Sequence, residues 1–446
     1  MRVKTKFSLI TFVVVIMPIL NVYATPIKSF GFGSLLVLLC LPFVLLSHNR
    51  ISKLFNQKNA IFIFFYLYSI LITLVNIAAN DYSLKDGLIR LLVESFYVVA
   101  IIVVSSSGSF DFEKCKKYYK FFAFLVSIIL VVQTVAFYVF SKNMFFLIPT
   151  LKYNQSSLST FDVYSSTYSY MYNYNYRPTS LFLEPSHAAL YLCPFLLITF
   201  FGENFGKKDF LSSVFVSVAI FLTTAGSGIL IMVALWAVFV IKSFILNQKH
   251  RAKIIILSFV FIILFSLIVS KTSFFTRVTS VLSSRVDDVG SGSASSINIR
   301  LLKGFEFYGN LPLFEKLFGM GMGTYDSYIL IHSYSSQLFA SEYMNSISYI
   351  LCSVGIFGIF LFLLFIYRSV KLSNSPYKKE IVIVMFLMYL TGSTLYSSYD
   401  FIMFILLLSP AFCKSKAVNS QTINYACSTR IEGWKNGLQR ENGLTH

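Results

Sequence analysis

The sequence predicts an all-α polytopic membrane protein with about twelve transmembrane helices and two long extracytoplasmic loops. Three observations point to it. Of the 446 residues, 56% are hydrophobic and 17% aromatic, against 13% charged. The apolar residues come in blocks approaching the roughly 20 needed to cross a bilayer. Charged residues sit almost entirely between the blocks, so the net charge of +18 reads as a topology signal and not as a nucleic-acid surface.

In chain order the blocks lie near 7–23, 29–47, 60–79, 87–105, 119–140, 185–201, 210–224, 226–246, 253–270, 344–367, 380–397 and 401–413. The first could pass for a signal peptide, but no small-residue cleavage site precedes the next block, so it reads as a retained helix. Starting inside with Arg2, Lys4 and Lys6, alternate gaps carry the basic clusters: Arg50, Lys53, Lys58; Lys114, Lys116, Lys117; Lys207, Lys208; Lys242, Lys249, Arg251, Lys253; and Arg368, Lys371, Lys378, Lys379. The short gaps on the other side hold Lys28 and Lys85 alone. That asymmetry places both ends in the cytoplasm. It divides the chain into a transmembrane domain, 1–413, and a polar cytoplasmic tail, 414–446.

The same count puts two long loops outside, about 141–184 and 271–343, and the chemistry is expected there. Neither loop contains a cysteine, since Cys40, Cys193 and Cys352 fall in spans and Cys115, Cys413 and Cys427 on the cytoplasmic side; disulfide bracing is excluded. The five histidines are scattered without metal-ligand spacing, and no glycine-rich phosphate cradle follows a strand, so no metal and no cofactor is expected.

The first loop ends in "YSYMYNYNYRPTSLFLEPSHAALYL", 168–192. Alternation places Tyr168, Tyr170, Tyr172, Tyr174 and Tyr176 on one face of an extended segment. Such an aromatic, hydroxylated wall suits a carbohydrate, and it equally suits an interfacial belt. Pro185 fits the first turn of a helix, which leaves Glu184 at the cap and His187 and Tyr191 about one and two turns on. Arg177, seven residues earlier, can return to the same helix mouth, where a carboxylate is favoured as the anion.

The second loop opens with a Gly/Ser tether, "DDVGSGSASS", 287–296. Ser296 can cap a short amphipathic helix running to about Tyr308, with Leu301, Leu302, Phe305 and Tyr308 on its apolar side and Arg300, Lys303 and Gly304 on a basic side. A basic face on a membrane-lying helix fits either plain surface association or an anionic lipid headgroup. Asp326, His332 and Glu342 follow without a rank order. Within the fourth block Arg90 and Glu94 lie one turn apart, as a structural pair or as the lining of a cavity.

"RPTSLFLEPSHAALYL" resembles the Arg-Pro-x-x-x-x-x-Glu-Pro-Ser-His segment of Wzy-type O-antigen and capsule repeat-unit polymerases. "LTTAGSGIL", 222–230, is similar to that family's Thr/Ser-rich hairpin. "NIRLLKGFEFYGNLPLFEKLFGMGMGTY", 298–325, resembles its arginine helix and Gly-x-Gly turn, and "NSISYILCSVGIFGIFLFLL", 345–364, the Asn-Ser and Gly-Ile-x-Gly start of the next span. Together they cover about 176–364 in the family's order. The arginine–glycine spacing of eleven described for some members is absent, since Ala188 and Leu311 stand at those positions. The related O-antigen ligases carry His-Asn where this chain has Met344 and Asn345.

The resemblance implies a metal-independent membrane glycosyltransferase that polymerises polyprenyl-pyrophosphate-linked oligosaccharide repeat units at the outer face of a bacterial cytoplasmic membrane. A flippase and a chain-length regulator would be possible partners. Arg177 and Arg300 are the residues expected to hold the pyrophosphate, with Lys303 in support. Glu184 is either general base to the acceptor hydroxyl or the orienter of Arg177, with orientation favoured. Tyr172, Tyr174, Tyr176 and His187 would contact substrate. The alternatives are an O-antigen ligase and a lipid-linked oligosaccharide flippase or exporter.

Overall fold

The structure, a computed structural model, describes residues 8–27, 30–46, 57–80, 82–107, 109–148, 151–153, 176–202, 205–245, 299–331, 344–373, 375 and 377–408. The predicted span 253–270, the tether 287–296 and the tail 414–446 lie outside these residues. Every other predicted span overlaps a helix, although the turn before the last helix lies at 392–397, inside the predicted span 380–397, and residues 409–413 lie outside the described residues. In chain order these are α1 (Leu9–Leu20), α2 (Phe32–Leu46), α3 (Gln57–Asn80), α4 (Leu84–Ser107), α5 (Phe112–Phe140), α6 (Pro185–Phe200), α7 (Lys207–Leu222) and α8 (Gly226–Ile245). A π-helical turn, Ile299–Lys303, leads into α9 (Gly304–Asn310), α10 (Leu313–Phe318) and α11 (Tyr325–Ile331). The chain then returns through α12 (Ser346–Leu372), α13 (Lys378–Thr391) and α14 (Ser398–Leu408).

Five of these helices, α3, α4, α5, α8 and α12, are long and apolar enough to cross a membrane. Their outward faces carry exposed large apolar side chains such as Leu67 and Leu71 on α3, Phe121 on α5, Val233 on α8 and Phe360 on α12. Apolar surface on this scale needs a lipid or protein cover, and the chain is accordingly a membrane protein. Helices α6 and α14 behave differently. Their sequences are apolar on every side, which suits a helix enclosed by others, and every residue from Ser398 to Leu408 is buried. They form the middle of the bundle.

Aromatic stacking ties neighbouring helices together. Phe62 of α3 lies flat against Phe365 of α12 at 4.3 Å, and Phe200 of α6 against Phe239 of α8 at 4.7 Å. Tyr119 of α5 stacks on Tyr191 of α6 at 5.1 Å and donates to the Tyr191 carbonyl at 2.5 Å.

Contacts between helix ends sort into two sets. In one, Ser8 donates to the Ser109 carbonyl at 2.8 Å, Asn59 to Ser106 at 3.0 Å, and Lys120 pairs with Asp209 at 3.2 Å; Lys242 also pairs with Glu380. In the other, the Ala24 amide donates to the Lys152 carbonyl at 2.8 Å, the Ser83 amide to Ser327 at 3.2 Å, and the Ser346 amide to the Gly392 carbonyl at 3.0 Å.

Helix α12 is broken. Gly355 adopts φ 66°, ψ −172° within it, a conformation that side chains resist. A Cβ there would lie 2.6 Å from the Phe318 nitrogen, so the break and the close packing of α10 need the same glycine. Beside the break, the carbonyls of Cys352 and Ser353 accept from the amides of Met320 and Gly321, both at 2.9 Å. The second-loop turn 319–323 is thereby drawn into the bundle.

Candidate functional site

The segment leading into α6 is fastened by polar side chains. Tyr176 is buried, its ring flat against Phe137 at 4.0 Å and edge-on to Tyr138 at 6.2 Å. Arg177 reaches the hairpin between α7 and α8: Nε donates to the Thr223 carbonyl at 3.2 Å and to Thr224 Oγ1 at 2.9 Å, and Nη2 to the Thr224 carbonyl at 3.3 Å. Those are carbonyls at a helix C-terminus, where an arginine is favoured by the helix dipole. Gln133 of α5 accepts from the Ser180 amide at 2.8 Å and donates to the Met144 carbonyl at 3.0 Å. Ser180 itself is held at φ 55°.

Glu184 caps α6 in extended conformation, followed by Pro185 at the first turn. Its Oε2 accepts from the Ser186 hydroxyl at 3.0 Å. His187 faces Tyr399 of α14 with ring centroids 5.7 Å apart, and Tyr399 lies within electrostatic reach of Glu184. Helix α14 thus carries the first-loop mouth toward the bundle interior.

The segment leading into α12 is fastened by its backbone. Gly304 abuts Ser348 of α12, whose Cβ a side chain would meet at 2.6 Å. Asn345 caps α12 by accepting from the Ser348 amide at 2.8 Å and donates to the Leu301 carbonyl at 3.3 Å. Arg300 lies in the π-helical turn one residue before Leu301. Lys303 is exposed and pairs with Glu306 at 2.7 Å. The inward side of this segment is Gly304 and Phe307, while Leu302 is exposed; the wider π turn shifts the face away from the one that regular helical spacing predicts.

Gly319, Gly321 and Gly323 all adopt positive φ, and α3 supplies a stripe of partners for their turn. Asn76 donates to the Gly319 carbonyl at 3.2 Å, Thr73 accepts from the Met322 amide at 2.8 Å, and Tyr68 donates to the Phe318 carbonyl at 2.9 Å. Nearby, in the gap between α3 and α4, burial with the Glu315 carboxylate close by pushes the Tyr82 phenol up to about 12.

Directly under the glycine turn lies a charged cluster. A Cβ on Gly323 would stand 2.8 Å from Arg90 Cβ, and the Gly323 amide donates to the Tyr349 hydroxyl at 3.3 Å. The Arg90 guanidinium lies over the Tyr349 ring, 5.1 Å from its centroid. Glu94 is fully buried, and its Oε1 accepts from Ser69 at 3.0 Å. The Tyr396 hydroxyl lies beside the Glu94 carboxylate and can donate to it. Tyr396 is held at φ 53° while Asp400 Oδ2 accepts from its amide at 3.2 Å; the other Asp400 oxygen accepts from Tyr389. Arg90 and Glu94 feel each other's charge without forming a direct ion pair.

No protein-family model and no curated protein matches this chain. The site therefore rests on its own geometry. That geometry joins Arg177 to the Thr223–Thr224 hairpin, brings Glu184 and His187 to α14, and sets the Arg300 turn on the first residues of α12. Tyr172 and Tyr174 lie outside the described residues, and so do His332 and Glu342. Tyr349, Tyr396 and Asp400 were not legible as site residues. One signal pointed toward them: Asp400 is a charge in the three-residue gap between the apolar blocks 380–397 and 401–413, and charges set so closely among apolar residues face a partner or a polar interior.

Proposed function

We propose that this protein is a membrane glycosyltransferase that polymerises polyprenyl-pyrophosphate-linked oligosaccharide repeat units at the outer face of a bacterial cytoplasmic membrane, with both termini inside. The observation that carries the reading is convergence. Four segments similar to the Wzy-type polymerases, spread over 176–364, gather at one end of the bundle as two pairs. Arg177 is bonded to the hairpin, the Arg300 turn packs on the Asn345 start of α12, and the glycine turn bonds Cys352 and Ser353 beside the Gly355 break. A mouth so assembled can present two lipid-linked chains to each other, and orientation alone contributes much of the rate in a transfer between large substrates.

In this reading Arg300 and Arg177 stabilise the departing pyrophosphate, with Lys303 in support; a guanidinium fork suits phosphate oxygens and stays charged at any pH. Arg177 also fixes the hairpin. Glu184 orients the mouth through its place at the α6 N-terminus, where the helix dipole favours its anion. As general base it would instead take the proton of the attacking hydroxyl. His187 and the tyrosine segment, Tyr172, Tyr174 and Tyr176, line the approach of the sugars. The product is a longer chain on one carrier and a free carrier pyrophosphate. A flippase would deliver the repeat units and a chain-length regulator would act beside the polymerase.

A second reading has its own observation. A helix broken at Gly355 with a re-entrant turn against it is an arrangement used by transporters, which favours an exporter of the same lipid-linked sugars. One deletion strain separates the readings. Loss of long polymer with single repeat units still transferred to the cell surface supports the polymerase. Long polymer retained on the carrier supports a ligase, and repeat units trapped on the inner leaflet support an exporter.

A further inference from the structure

The hairpin between α7 and α8 ends a helix in an uncommon way. Thr223 caps α7, and the residue after it, Thr224, is held at φ 50°. Helices ordinarily place glycine at that left-handed position, and a β-branched residue resists it. Thr224 is buried, as are its neighbours Thr223 and Ala225. The helix end does not itself call for threonine there, since the Thr223 amide donates to the Ile220 carbonyl at 3.1 Å and the Thr224 amide to the Phe221 carbonyl at 3.0 Å. The Thr223 hydroxyl is spent inside the hairpin, donating to the Ile220 carbonyl at 2.6 Å and accepting from the Ala225 amide at 3.2 Å. The Thr224 hydroxyl serves Arg177 instead.

We propose that Thr224 is a positioning residue that sets the guanidinium of Arg177 for the pyrophosphate of the substrate. The inference rests on the polymerase reading, in which Arg177 touches that group. Held in its left-handed conformation, Thr224 offers two acceptors to one guanidinium: Oγ1 accepts from Nε at 2.9 Å and the carbonyl from Nη2 at 3.3 Å. The Thr223 carbonyl accepts from Nε as well, at 3.2 Å. A planar fork bonded through two of its nitrogens cannot swing about its stem. Its plane is therefore set before substrate arrives, and a donor fixed in advance costs no reorganisation when charge develops on the leaving group. The hairpin is anchored in turn, because Gly228 near the start of α8 abuts Ala189 of α6, one turn after Pro185. Strain that surrounding packing maintains, as at Thr224, is of a kind that collects at functional sites.

The test is polymerisation by the purified full-length protein in proteoliposomes, supplied with lipid-linked repeat units extracted from cells that lack this protein. Thr224→Gly removes the hydroxyl and relieves the strained conformation. Its melting temperature in detergent should hold or rise, while kcat falls about 5-fold or more with KM little changed, as for a contact realised with the departing group and not in the bound ground state. Thr224→Ser keeps the hydroxyl and should bring kcat back to within about 2-fold of wild type. Added to Arg177→Lys, Thr224→Gly should cost less than about 2-fold more, because the contact it removes is already lost. Wild-type kcat in Thr224→Gly would overturn the assignment, and so would a Thr224→Ser as slow as Thr224→Gly, which would make the methyl group the reason for threonine. A melting temperature that falls along with activity would make the role structural, and losses that multiply in the double variant would show Thr224 acting elsewhere; either result also overturns it. Wild-type protein that makes no ladder sinks the polymerase reading and this inference with it, whereas a wild-type ladder that Thr224→Gly leaves unchanged sinks the inference alone.

Discussion

The two long segments between helices are fastened to the bundle by opposite means. Residues 176–184 are held by side chains, chiefly Arg177 on the Thr223–Thr224 hairpin and Gln133 on Ser180. Residues 299–325 are held by backbone approach, through Gly304 on Ser348, Gly319 on the Ser353 turn and Gly355 against Leu317 and Phe318. The difference sets how each can fail. A side-chain fastening loses one hydrogen bond at a time, whereas a glycine contact is breached by any Cβ.

The largest effects should therefore come from the second segment. Gly355→Ala and Gly319→Ala each place a Cβ against backbone, and both positions have positive φ. Strain of about 1–2 kcal/mol for the conformation and about 1–3 kcal/mol for overpacking should add up to a marked loss of membrane abundance and of melting temperature in detergent. Gly309→Ala, where a Cβ meets nothing within 4 Å, should cost little in the same assay. Similar melting curves for all three variants would break the contrast.

Next should come the arginines, whose effect lies in activity and not in abundance. Arg177→Lys and Arg300→Lys keep charge and lose the fork. A charge-assisted contact of about 1.5–3 kcal/mol corresponds to about 10-fold to 150-fold in rate when it is realised in the transition state. Chain-length ladders from cells with matched protein levels measure it. Wild-type ladders from both variants would remove the two-arginine account.

A middle effect is expected at Gln133. Gln133→Ala strands the buried Ser180 amide, at about 1–3 kcal/mol for a buried group left unmade, and leaves the carbonyl of the exposed Met144 to water. Because the loss is local, limited proteolysis of the first loop should accelerate more than global melting shifts. Smallest of all is Glu306→Gln. It removes an exposed pair with Lys303, and such pairs contribute about 0–1 kcal/mol, so melting should stay within error.

How much of this was legible follows from distance along the chain. Helices announce themselves locally, because a run such as Phe121–Phe140 carries no charge and is flanked by Lys120 and Lys142; each predicted span within the described residues overlaps a helix. Glu184 at a cap ahead of Pro185 was legible for the same reason. The break at Gly355 was visible only as a Gly-Ile-x-Gly motif, since nothing nearby reveals that α10 approaches it. The polar stripe Tyr68, Thr73 and Asn76 on α3 was readable as a helical face, but its partner is a turn about 250 residues away. Tyr349 and Tyr396 join Arg90 only through tertiary packing, and no local pattern encodes that.

The central claim is that this chain joins sugar repeat units without another enzyme. Purified protein in proteoliposomes, supplied with polyprenyl-pyrophosphate-linked repeat units and nothing else, measures it directly by gel separation of the glycans. The account predicts a ladder of polymer on the carrier lipid, together with free polyprenyl pyrophosphate in amounts matching the bonds formed, and Arg300→Lys should abolish most of both. Repeat units that stay single while crossing to the opposite leaflet would contradict it.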